Sequence, residues 1–407
     1  MNYRGNRFLL THPNRETAGE TFPTSPMGLS SYGTPERIRV CHFVSGDLWA
    51  GAEVMAWHLM EALCNLGQID LSIIICNDGE LYDKLLSEGR NIFFLDEKRF
   101  SPIDIFFRLK KYLELYRPHV LHCHRYKENI LGYLAGRFVC RPVFVSTQHG
   151  MPEYFQGFQH IKNKFFSTCN VGIQKKFNAV VAVSSDIQQA LITEHRVPSQ
   201  IISTIRNGVP LPEQLVTGPQ NTHFVIGSAG RFVPVKDYDL MVGLATKVIQ
   251  QAPELRFRLA GEGPLREQLQ SSISSNNLVE YFTLTGALRE MGSFYLGLNL
   301  YINTSLHEGI PMSILEAMSY GVPVVACDVG GIREIIDDGV DGFLVSSRDP
   351  QALAEKCLLL YQDRVLWKRM SAAARRKIET SFSDVFMGEQ YLALYHRILQ
   401  QKKIFLP

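Results

Sequence analysis

Short apolar runs alternate along the chain with longer segments whose apolar residues recur at helical spacing. The runs IRVCHFVS from Ile38, LSIIIC from Leu71 and VFVSTQH from Val143 are nearly continuous in apolar character. Runs of this kind are typical of parallel strands that are buried on both faces. Strands that alternate with helices in this way predict an α/β protein with doubly wound, Rossmann-like sheets.

A polar segment rich in proline and glycine, residues 207–222, divides this alternation into two series. We predict a linker there, an N-terminal domain over residues 37–206 and a C-terminal domain over residues 223–384. Residues 1–36 are rich in Thr, Pro, Gly, Ser and Asn and predict a flexible leader. Because ligands of such sheets bind beyond the carboxyl ends of the strands, we expect the site in a cleft between the domains.

Length and composition narrow the class of protein. A chain of 407 residues exceeds one ordinary core, which fits two domains. The formal net charge of +2 argues against nucleic acid as a partner. Eight cysteines without a CxxC spacing indicate reduced thiols. The sequence also has no apolar run of membrane-spanning length and no signal-type N-terminus, so we expect a cytoplasmic protein.

The segment from Ser305 to Val345 is the densest in features of a ligand site. It reads SLHEGIPMSILEAMSYGVPVVACDVGGIREIIDDGVDGFLV. A helix that begins near Pro311 places Glu316 in its second turn, and its first N–H groups form an anion site. With Glu308 just before the helix, the segment suits a ligand that carries hydroxyls at both ends and phosphates between them. The alternative is a capped surface helix with two solvated glutamates.

Taken together, these motifs resemble the retaining glycosyltransferases of family 4. The resemblance implies the GT-B fold, in which two Rossmann-like domains face a central cleft, and transfer of a sugar from a UDP- or GDP-sugar. It also implies that the last helix, within residues 385–407, packs back on the N-terminal domain. The matching pieces of the second half are GRFVPVKD (230–237), LAGEGPLR (259–266), LTGAL (284–288), HEGIPMSILEAMSYGVPVVACDVGGIREII (307–336) and DGFLV (341–345); the first half matches more weakly through GDLWAGAE, HCHRYKEN, STQHG and AVSS.

The resemblance assigns the second domain to the nucleotide-sugar donor. Arg231 and Lys236, five positions apart in the loop after a strand, correspond to a pair that clamps the diphosphate, where the leaving group gains negative charge. Glu316 is the choice for the ribose hydroxyls, because a carboxylate accepts two O–H donors. Glu308 faces the transferred sugar and stabilises positive charge at its anomeric carbon. The remaining predicted donor contacts are Gly286 and Leu288 at the base, and Gly309, Ile310, Met312 and Ser313 at the sugar and phosphates.

Two residues of the first domain complete the predicted site. His149 follows the strand VFVSTQ and matches the family histidine near the donor sugar, where it polarises a sugar hydroxyl or the phosphate. Gly51 of WAGAE opens a helix where backbone must come close to the donor or the acceptor; the alternative is an ordinary helix-entry glycine. His149 and Glu308 are the predicted catalytic residues.

We predict no metal and no cofactor beyond the nucleotide-sugar substrate. No Asp-x-Asp motif is placed where a divalent metal ion would hold a diphosphate. The resembled family generally works without a metal ion. The triplet His122-Cys123-His124 has the residue types of a metal site, but neighbouring strand residues face opposite sides. We therefore discard it as a site.

The acceptor is expected to be a glycan, a lipid-linked sugar or a lipopolysaccharide-type molecule. The segment HIKNKFFSTCNVGIQKKF (160–177) carries four lysines among three phenylalanines and no acid. Related enzymes use such surfaces to reach acceptors at the inner membrane face, which predicts peripheral membrane contact. An ordinary solvated helix explains the same pattern.

Other functions remain compatible with parts of the sequence. A sugar-nucleotide epimerase has the same fold, although the EGIP–SILEA arrangement with GRFVPVK favours transfer. A non-enzymatic nucleotide-sugar-binding protein would bind the donor without consuming it. A dehydrogenase is the weakest alternative, because LAGEG lacks the third glycine of the dinucleotide motif and no acid is placed for the NAD ribose.

Overall fold

The computed structural model describes residues 37–150, 158–216 and 224–403, without the side chains of residues 158–165. The predicted leader, residues 1–36, lies outside this part of the chain. The first sheet is wholly parallel with the strand order β3-β2-β1-β4-β5-β6-β7. Its strands are β1 (Ile38–Val44), β2 (Ile69–Ile75), β3 (Ile92–Phe94), β4 (Val120–Cys123), β5 (Val143–Gln148), β6 (Ala179–Ala182) and β7 (Ile202–Thr204).

Helices follow the strands of this sheet and cover its faces. Helix α3 shows how the sequence sets a boundary, because Ser101 and Asp104 form a reciprocal capping box around Pro102 at the first helical position. The helices are α1 (Gly51–Asn65), α2 (Glu80–Ser87), α3 (Pro102–Tyr116), α4 (Tyr126–Val139), α5 (Phe158–Gln174) and α6 (Ser185–Thr193).

The second sheet is also parallel, with the order β10-β9-β8-β11-β12-β13. Its strands are β8 (Val225–Ala229), β9 (Arg256–Ala260), β10 (Phe282–Gly286), β11 (Leu300–Asn303), β12 (Val324–Cys327) and β13 (Gly342–Val345). The helices of this half are α7 (Tyr238–Gln251), α8 (Arg266–Ser275), α9 (Gly292–Leu296), α10 (Met312–Ser319), α11 (Pro350–Gln362) and α12 (Arg364–Ser381).

The two doubly wound parallel sheets confirm the predicted fold class. The central strands are buried along their whole length, as their continuous apolar character requires. The helix predicted to begin near Pro311 is α10, which begins at Met312 with Pro311 in extended backbone as its N-cap.

The chain crosses between the two halves at one place in both directions. On the outward crossing, Val209 forms a bridge with Ser383 of the return crossing. The Val209 N–H donates to the Phe382 carbonyl at 2.9 Å, and the Asp384 N–H donates to the Val209 carbonyl at 3.0 Å. A Cβ on Gly208 would lie 2.4 Å from the Ser383 carbonyl oxygen, so only glycine allows this approach.

The last helix, α13 (Asp384–Gln401), packs against α1 of the first half. Ser383 caps it through the Phe386 N–H. Its inner face is apolar and buried, and the tyrosines Tyr391 and Tyr395 are fully enclosed. Among the helices of the described residues, none combines the length and apolar character needed to cross a membrane.

The contact between α13 and α1 predicts opposite effects of one substitution at two helical glycines. A Cβ on Gly388 would lie 2.9 Å from the Ala62 Cβ, whereas Gly172 in α5 has no described atom within 4 Å of that position. We expect Gly388→Ala to lower the free energy of unfolding by about 1–3 kcal/mol through overpacking. Gly172→Ala should raise it by about 0.5–1 kcal/mol, because alanine restricts the unfolded chain. Urea denaturation of both variants measures this, and equal shifts would contradict the packing of α13.

Candidate functional site

Lys236 and Glu308 form an ion pair at the carboxyl edge of the second sheet. Lys236 ends a 3₁₀ turn after β8, and Glu308 follows β11. Because β8 and β11 are neighbours in the sheet, Lys236 Nζ lies 2.5 Å from Glu308 Oε1. The Ser305 hydroxyl donates to the same oxygen at 2.6 Å. Glu308 Oε2 has no hydrogen-bond partner among the described residues, so it remains available to a ligand.

Arg231 lies in the loop between β8 and the Lys236 turn. That loop is fixed by backbone contacts to the loop after β9: the Phe232 N–H donates to the Glu262 carbonyl at 2.8 Å. A Cβ on Gly261 would lie 1.9 Å from the Gly230 carbonyl oxygen, and Gly261 has a φ of +140°. The two loops therefore pack backbone to backbone, which holds the exposed Arg231 on the same edge as Lys236.

Glu316 lies in the second turn of α10 and is held by a tyrosine. The Tyr295 hydroxyl donates to Glu316 Oε2 at 2.5 Å. Burial raises the pKa of the Glu316 carboxyl, and the hydrogen bond from Tyr295 opposes that rise. Within the described part of the chain only Oε2 has a hydrogen-bond partner, so Oε1 can accept from a ligand. Tyr295 was missed by the sequence analysis, because nothing in the spacing of YLGLN marks a partner 21 residues away.

The loop before α10 is fixed by glycines that leave no room for side chains. A Cβ on Gly330, which has a φ of +53°, would lie 2.0 Å from the Glu308 carbonyl oxygen. A Cβ on Gly331 would lie 2.1 Å from the Gly309 carbonyl oxygen. A Cβ on Gly309 itself would lie 2.9 Å from the His149 carbonyl oxygen. These approaches bring His149 of the first half to the predicted Glu308 loop of the second.

The other predicted residues around the start of α10 are largely buried. Ile310 is enclosed, and its carbonyl accepts from Asn207 Nδ2 at 2.9 Å. Met312 is also buried, and a Cβ on Gly51 would lie 3.7 Å from its Cγ, so the starts of α1 and α10 meet. Ser313, the second residue of α10, is half-buried. Ile310 and Met312 can therefore offer a ligand mainly their backbone.

Gly286 and Leu288 lie at the carboxyl end of the edge strand β10. Gly286 has a φ of +77°, which favours glycine, and its carbonyl accepts from the Gly261 N–H at 2.9 Å. Leu288 is half-buried against the core. This part of the site presents backbone and one apolar side chain, which suits a flat, uncharged group.

His149 follows β5 and faces the Glu308 loop. Its Nε2 lies 3.2 Å from His124 Nδ1, whereas its Nδ1 is enclosed and has no hydrogen-bond partner in the described part of the chain. Burial, with a smaller contribution from Arg125, lowers the pKa of His149 to about 3. The imidazole is therefore neutral near pH 7 and acts as a hydrogen-bonding group.

An ion-pair cluster around Arg125, near His149, was missed by the sequence analysis. Arg125 Nη1 lies 2.8 Å from Asp47 Oδ1, and Arg125 Nη2 pairs with Glu53 Oε1. Glu53 is 4% exposed, and its second oxygen has no partner in the described residues. Burial raises the pKa of Glu53, and Arg125 opposes the rise. The three residues lie in the segments GDLWAGAE and HCHRYKEN, which the sequence analysis had singled out. Only the pairing of β1 with β4 brings the two segments together.

The reason for discarding the histidine triplet was wrong. His122 and His124 are two positions apart and lie on the same side, where they meet His42 of β1; ligand atoms of the three lie within 4.8 Å of one another. In the structure their ring nitrogens hydrogen-bond each other and neighbouring side chains, and the rings of His122 and His124 are stacked at 4.4 Å. In-plane lone pairs of stacked rings do not point at a common ion.

The basic segment 160–177 is only partly described, since the side chains of Lys162, Lys164 and Phe165 lie outside the described residues. Phe177 is 3% exposed and packs in the core, so the prediction that it belongs to a basic, aromatic surface is wrong. Lys175 and Lys176 are exposed.

Two protein-family models match this chain. The model described as Glycosyltransferase Family 4 matches residues 49–212, and the model described as Glycosyl transferases group 1 matches residues 223–363. The first covers the strands of the first sheet except β1, the second covers all six strands of the second sheet, and together they span most of the chain.

Relatives and solved structures agree with these matches. UDP-Gal:alpha-D-GlcNAc-diphosphoundecaprenol alpha-1,3-galactosyltransferase of Escherichia coli is 26% identical over 89% of this chain and 97% of its own. The capsular polysaccharide biosynthesis glycosyltransferase CapM of Staphylococcus aureus is 22% identical over 70% of this chain and 79% of its own. The Anabaena protein HepE, solved with UDP and glucose, superposes with a TM-score of 0.75 at 19% identity over 88% of this chain and 99% of its own.

Proposed function

The chain is a glycosyltransferase of family 4 with the GT-B fold, and on that premise we propose that it is a retaining enzyme that uses a nucleoside-diphosphate sugar. The acceptor is a hydroxyl of a glycan, lipid-linked or lipopolysaccharide-type molecule. The observation that carries the proposal is the arrangement around the start of α10. There the Lys236–Glu308 pair, the tyrosine-held Glu316 and the enclosed, unpartnered Nδ1 of His149 surround one helix N-terminus.

A UDP-sugar is the first candidate donor, and a GDP-sugar is the second. The E. coli relative is named for a UDP-Gal donor, and HepE was solved with UDP and glucose. For the nucleoside, the apolar and backbone surface of Gly286 and Leu288 suits the base. Glu316 suits the ribose, because its Oε1 is free to accept while Tyr295 holds Oε2.

The diphosphate requires positive charge nearby, because the negative charge on its leaving oxygen increases as the glycosidic bond breaks. Lys236 is already held in position by Glu308, so it need not reorganise when the leaving oxygen becomes more negative. Arg231 lies on the same edge, and the first N–H groups of α10 add the positive end of a helix dipole. We propose that these groups supply the charge that a metal ion supplies elsewhere, so no metal and no cofactor is required.

The transferred sugar is placed between Glu308, His149 and the Gly309–Ser313 backbone. Glu308 already accepts from Lys236 and Ser305, which weakens it as a nucleophile but leaves Oε2 to stabilise positive charge at the anomeric carbon. We therefore propose a front-face displacement. The acceptor oxygen bonds to the anomeric carbon as the bond to the phosphate oxygen breaks, and the acceptor proton passes to that phosphate oxygen.

The acceptor is proposed to approach from the first half of the molecule, at the cytoplasmic face of the inner membrane. The E. coli relative is named for an acceptor linked to diphosphoundecaprenol, which is a lipid. On this chain, the exposed Lys175 and Lys176 carry the charge that anionic headgroups attract. Peripheral contact through this segment therefore belongs to the proposal.

Replacements at the two sides of α10 should separate donor binding from chemistry. Glu316→Gln removes a charged acceptor for the ribose, and a lost hydrogen bond to a charged group costs about 1.5–3 kcal/mol, so the donor KM should rise about 10- to 100-fold. Lys236→Met removes charge at the leaving group and should lower kcat about 100-fold or more. Exposed Lys247 on α7 provides the control Lys247→Ala. Wild-type kinetics in Glu316→Gln and Lys236→Met would refute the site.

The reaction itself is tested by incubating the protein with UDP-sugars, GDP-sugars and candidate acceptors. We expect a UDP-sugar to raise the melting temperature by mass action and to be consumed in the presence of EDTA. The product linkage should have the anomeric configuration of the donor, as read by proton NMR. Inverted configuration would contradict retention. A donor altered at one sugar carbon without transfer would indicate an epimerase, and binding without turnover a binding protein.

Membrane contact is tested with liposomes that contain anionic lipid. At low salt we expect co-sedimentation of the wild type, and weaker binding of Lys175→Glu/Lys176→Glu, because each lysine contributes about 1 kcal/mol near a charged surface. Neutral liposomes and Lys247→Glu serve as controls. No difference between the wild type and the double variant would remove this segment from the proposal.

A further inference from the structure

Helix α6 of the first half meets the second half of the molecule at its N-terminus. The Ser184 hydroxyl caps this helix by accepting from the Ile187 N–H at 3.2 Å. The Ser185 N–H donates instead to Glu334 Oε1 at 2.6 Å, and the Ser185 hydroxyl donates to Glu334 Oε2 at 3.2 Å. Glu334 belongs to the second half. One of the N–H groups that α6 cannot satisfy internally therefore finds its acceptor in the other half, at the positive end of the helix dipole.

A third bond to Glu334 comes from the segment in which the chain leaves the first half. Arg206 Nε lies 2.9 Å from Glu334 Oε2, and Arg206 shortly precedes the crossing at Val209. The Glu334 side chain is 11% exposed, so its charge depends on these partners. In the described residues its donors are Arg206 and the two groups of Ser185, which all lie in the first half. Separation of the halves would break all of these bonds together.

Glu334 is also connected to the loop of residues 308–311, called the donor loop below. It ends the 3₁₀ turn Gly330–Glu334. At the start of that turn, the Gly331 N–H donates to the Glu308 carbonyl at 3.1 Å. Added Cβ atoms on Gly330 and Gly331 would lie 2.0 and 2.1 Å from the carbonyl oxygens of Glu308 and Gly309. Because backbone packs on backbone here, a displacement of Glu334 moves the donor loop with it.

From these contacts we infer that Glu334 is a positioning residue that holds the two halves closed and so sets the place of the donor loop against the first half. The wall that His149 contributes to the site lies next to Gly309 only while the halves are closed, because the two residues belong to different halves. The ligand that profits from closure, a nucleoside-diphosphate sugar, rests on the proposed function. The closed arrangement itself does not.

Stabilisation of one half alone explains these bonds less well. An ion pair inside one half, such as that of Arg375 with Glu379 in α12, persists whether the halves are open or closed. The bonds of Glu334 depend on closure, since the donors and the acceptor lie in different halves. A second bond crosses at the same place: Asn207 Nδ2 donates to the Ile310 carbonyl of the donor loop at 2.9 Å. Glu334 therefore contributes to the closing equilibrium.

The closed arrangement can be measured in the full-length protein without donor. We would compare the radius of gyration of the wild type, Glu334→Ala and the matched control Glu379→Gln by small-angle X-ray scattering. We expect only Glu334→Ala to have a larger radius than the wild type. Saturating UDP should return it to the wild-type value, because a ligand that binds the closed state shifts the equilibrium toward it. An unchanged radius in folded Glu334→Ala would overturn the inference.

Steady-state kinetics separate a role in closure from a role in chemistry. Loss of hydrogen bonds to a charged group shifts an equilibrium about 10- to 100-fold. The apparent donor KM is inversely proportional to the closed fraction, so Glu334→Ala should raise it by up to about that factor. Its kcat should equal that of the wild type, because saturating donor restores closure. Arg206→Met keeps both Ser185 bonds and should raise KM less, and Glu379→Gln should leave KM unchanged. A lower kcat with an unchanged KM would contradict the role in closure.

The outcomes distinguish this inference from the proposed function. If Glu334→Ala does not fold, Arg206→Met decides by the same two measurements. A larger radius in the variants, beside a wild type that neither binds nor consumes a sugar nucleotide, would refute the proposed function and support the role of Glu334 in closure. A wild type that transfers sugar, beside a folded Glu334→Ala with the wild-type radius and donor KM, would overturn the role of Glu334 and support the function.

Discussion

The close packing of three backbone segments at the edge of the second sheet fixes the geometry of the site. Added Cβ atoms on Gly330 and Gly331 would lie 2.0 and 2.1 Å from the carbonyl oxygens of Glu308 and Gly309. Gly309 in turn lies against the backbone of His149. Because no side chain separates these segments, the position of the Glu308 carboxylate relative to the first half of the molecule is set by backbone contact, which flexible side chains cannot loosen.

The same edge contains charges that are paired before any ligand arrives. Lys236 and Glu308 are both mostly buried, with side chains 20% and 12% exposed. An unpaired Lys236 or Glu308 at this place would be unfavourable, so the two side chains stay together. Under the proposed function, an incoming diphosphate would replace Glu308 as the anionic partner of Lys236. Arg125 with Asp47 and Glu53 repeats this arrangement on the opposite wall. Burial, and to a smaller extent the nearby Arg125, lowers the pKa of His149 and keeps its ring neutral.

The sequence was sufficient for the sheets and for the loop and helix of the one contiguous motif in the second half. Continuous apolar runs identify buried parallel strands, and the EGIP–SILEA segment contains its own loop, helix and acids. The short strand β7, with the sequence IST, has no such run and was not predicted. Tyr295, Arg125 and the histidines of β1 and β4 escaped because their roles arise from contacts between distant segments. The pairing of His42 with His122 depends on the register of β1 against β4, which composition and spacing do not reveal.

The return of the chain to the first half has a consequence beyond covering its surface. Helix α13 packs its apolar face on α1, yet it also inserts two hydroxyls among the histidines beneath the site. An apolar residue would fill the space of Tyr395 equally well, but it would leave His122 Nδ1 without a partner and His42 with only its bond to His124. A buried polar network has a low free-energy cost only when every donor and acceptor in it has a hydrogen-bond partner. The last helix therefore completes a polar network that the described residues of the first half do not satisfy alone.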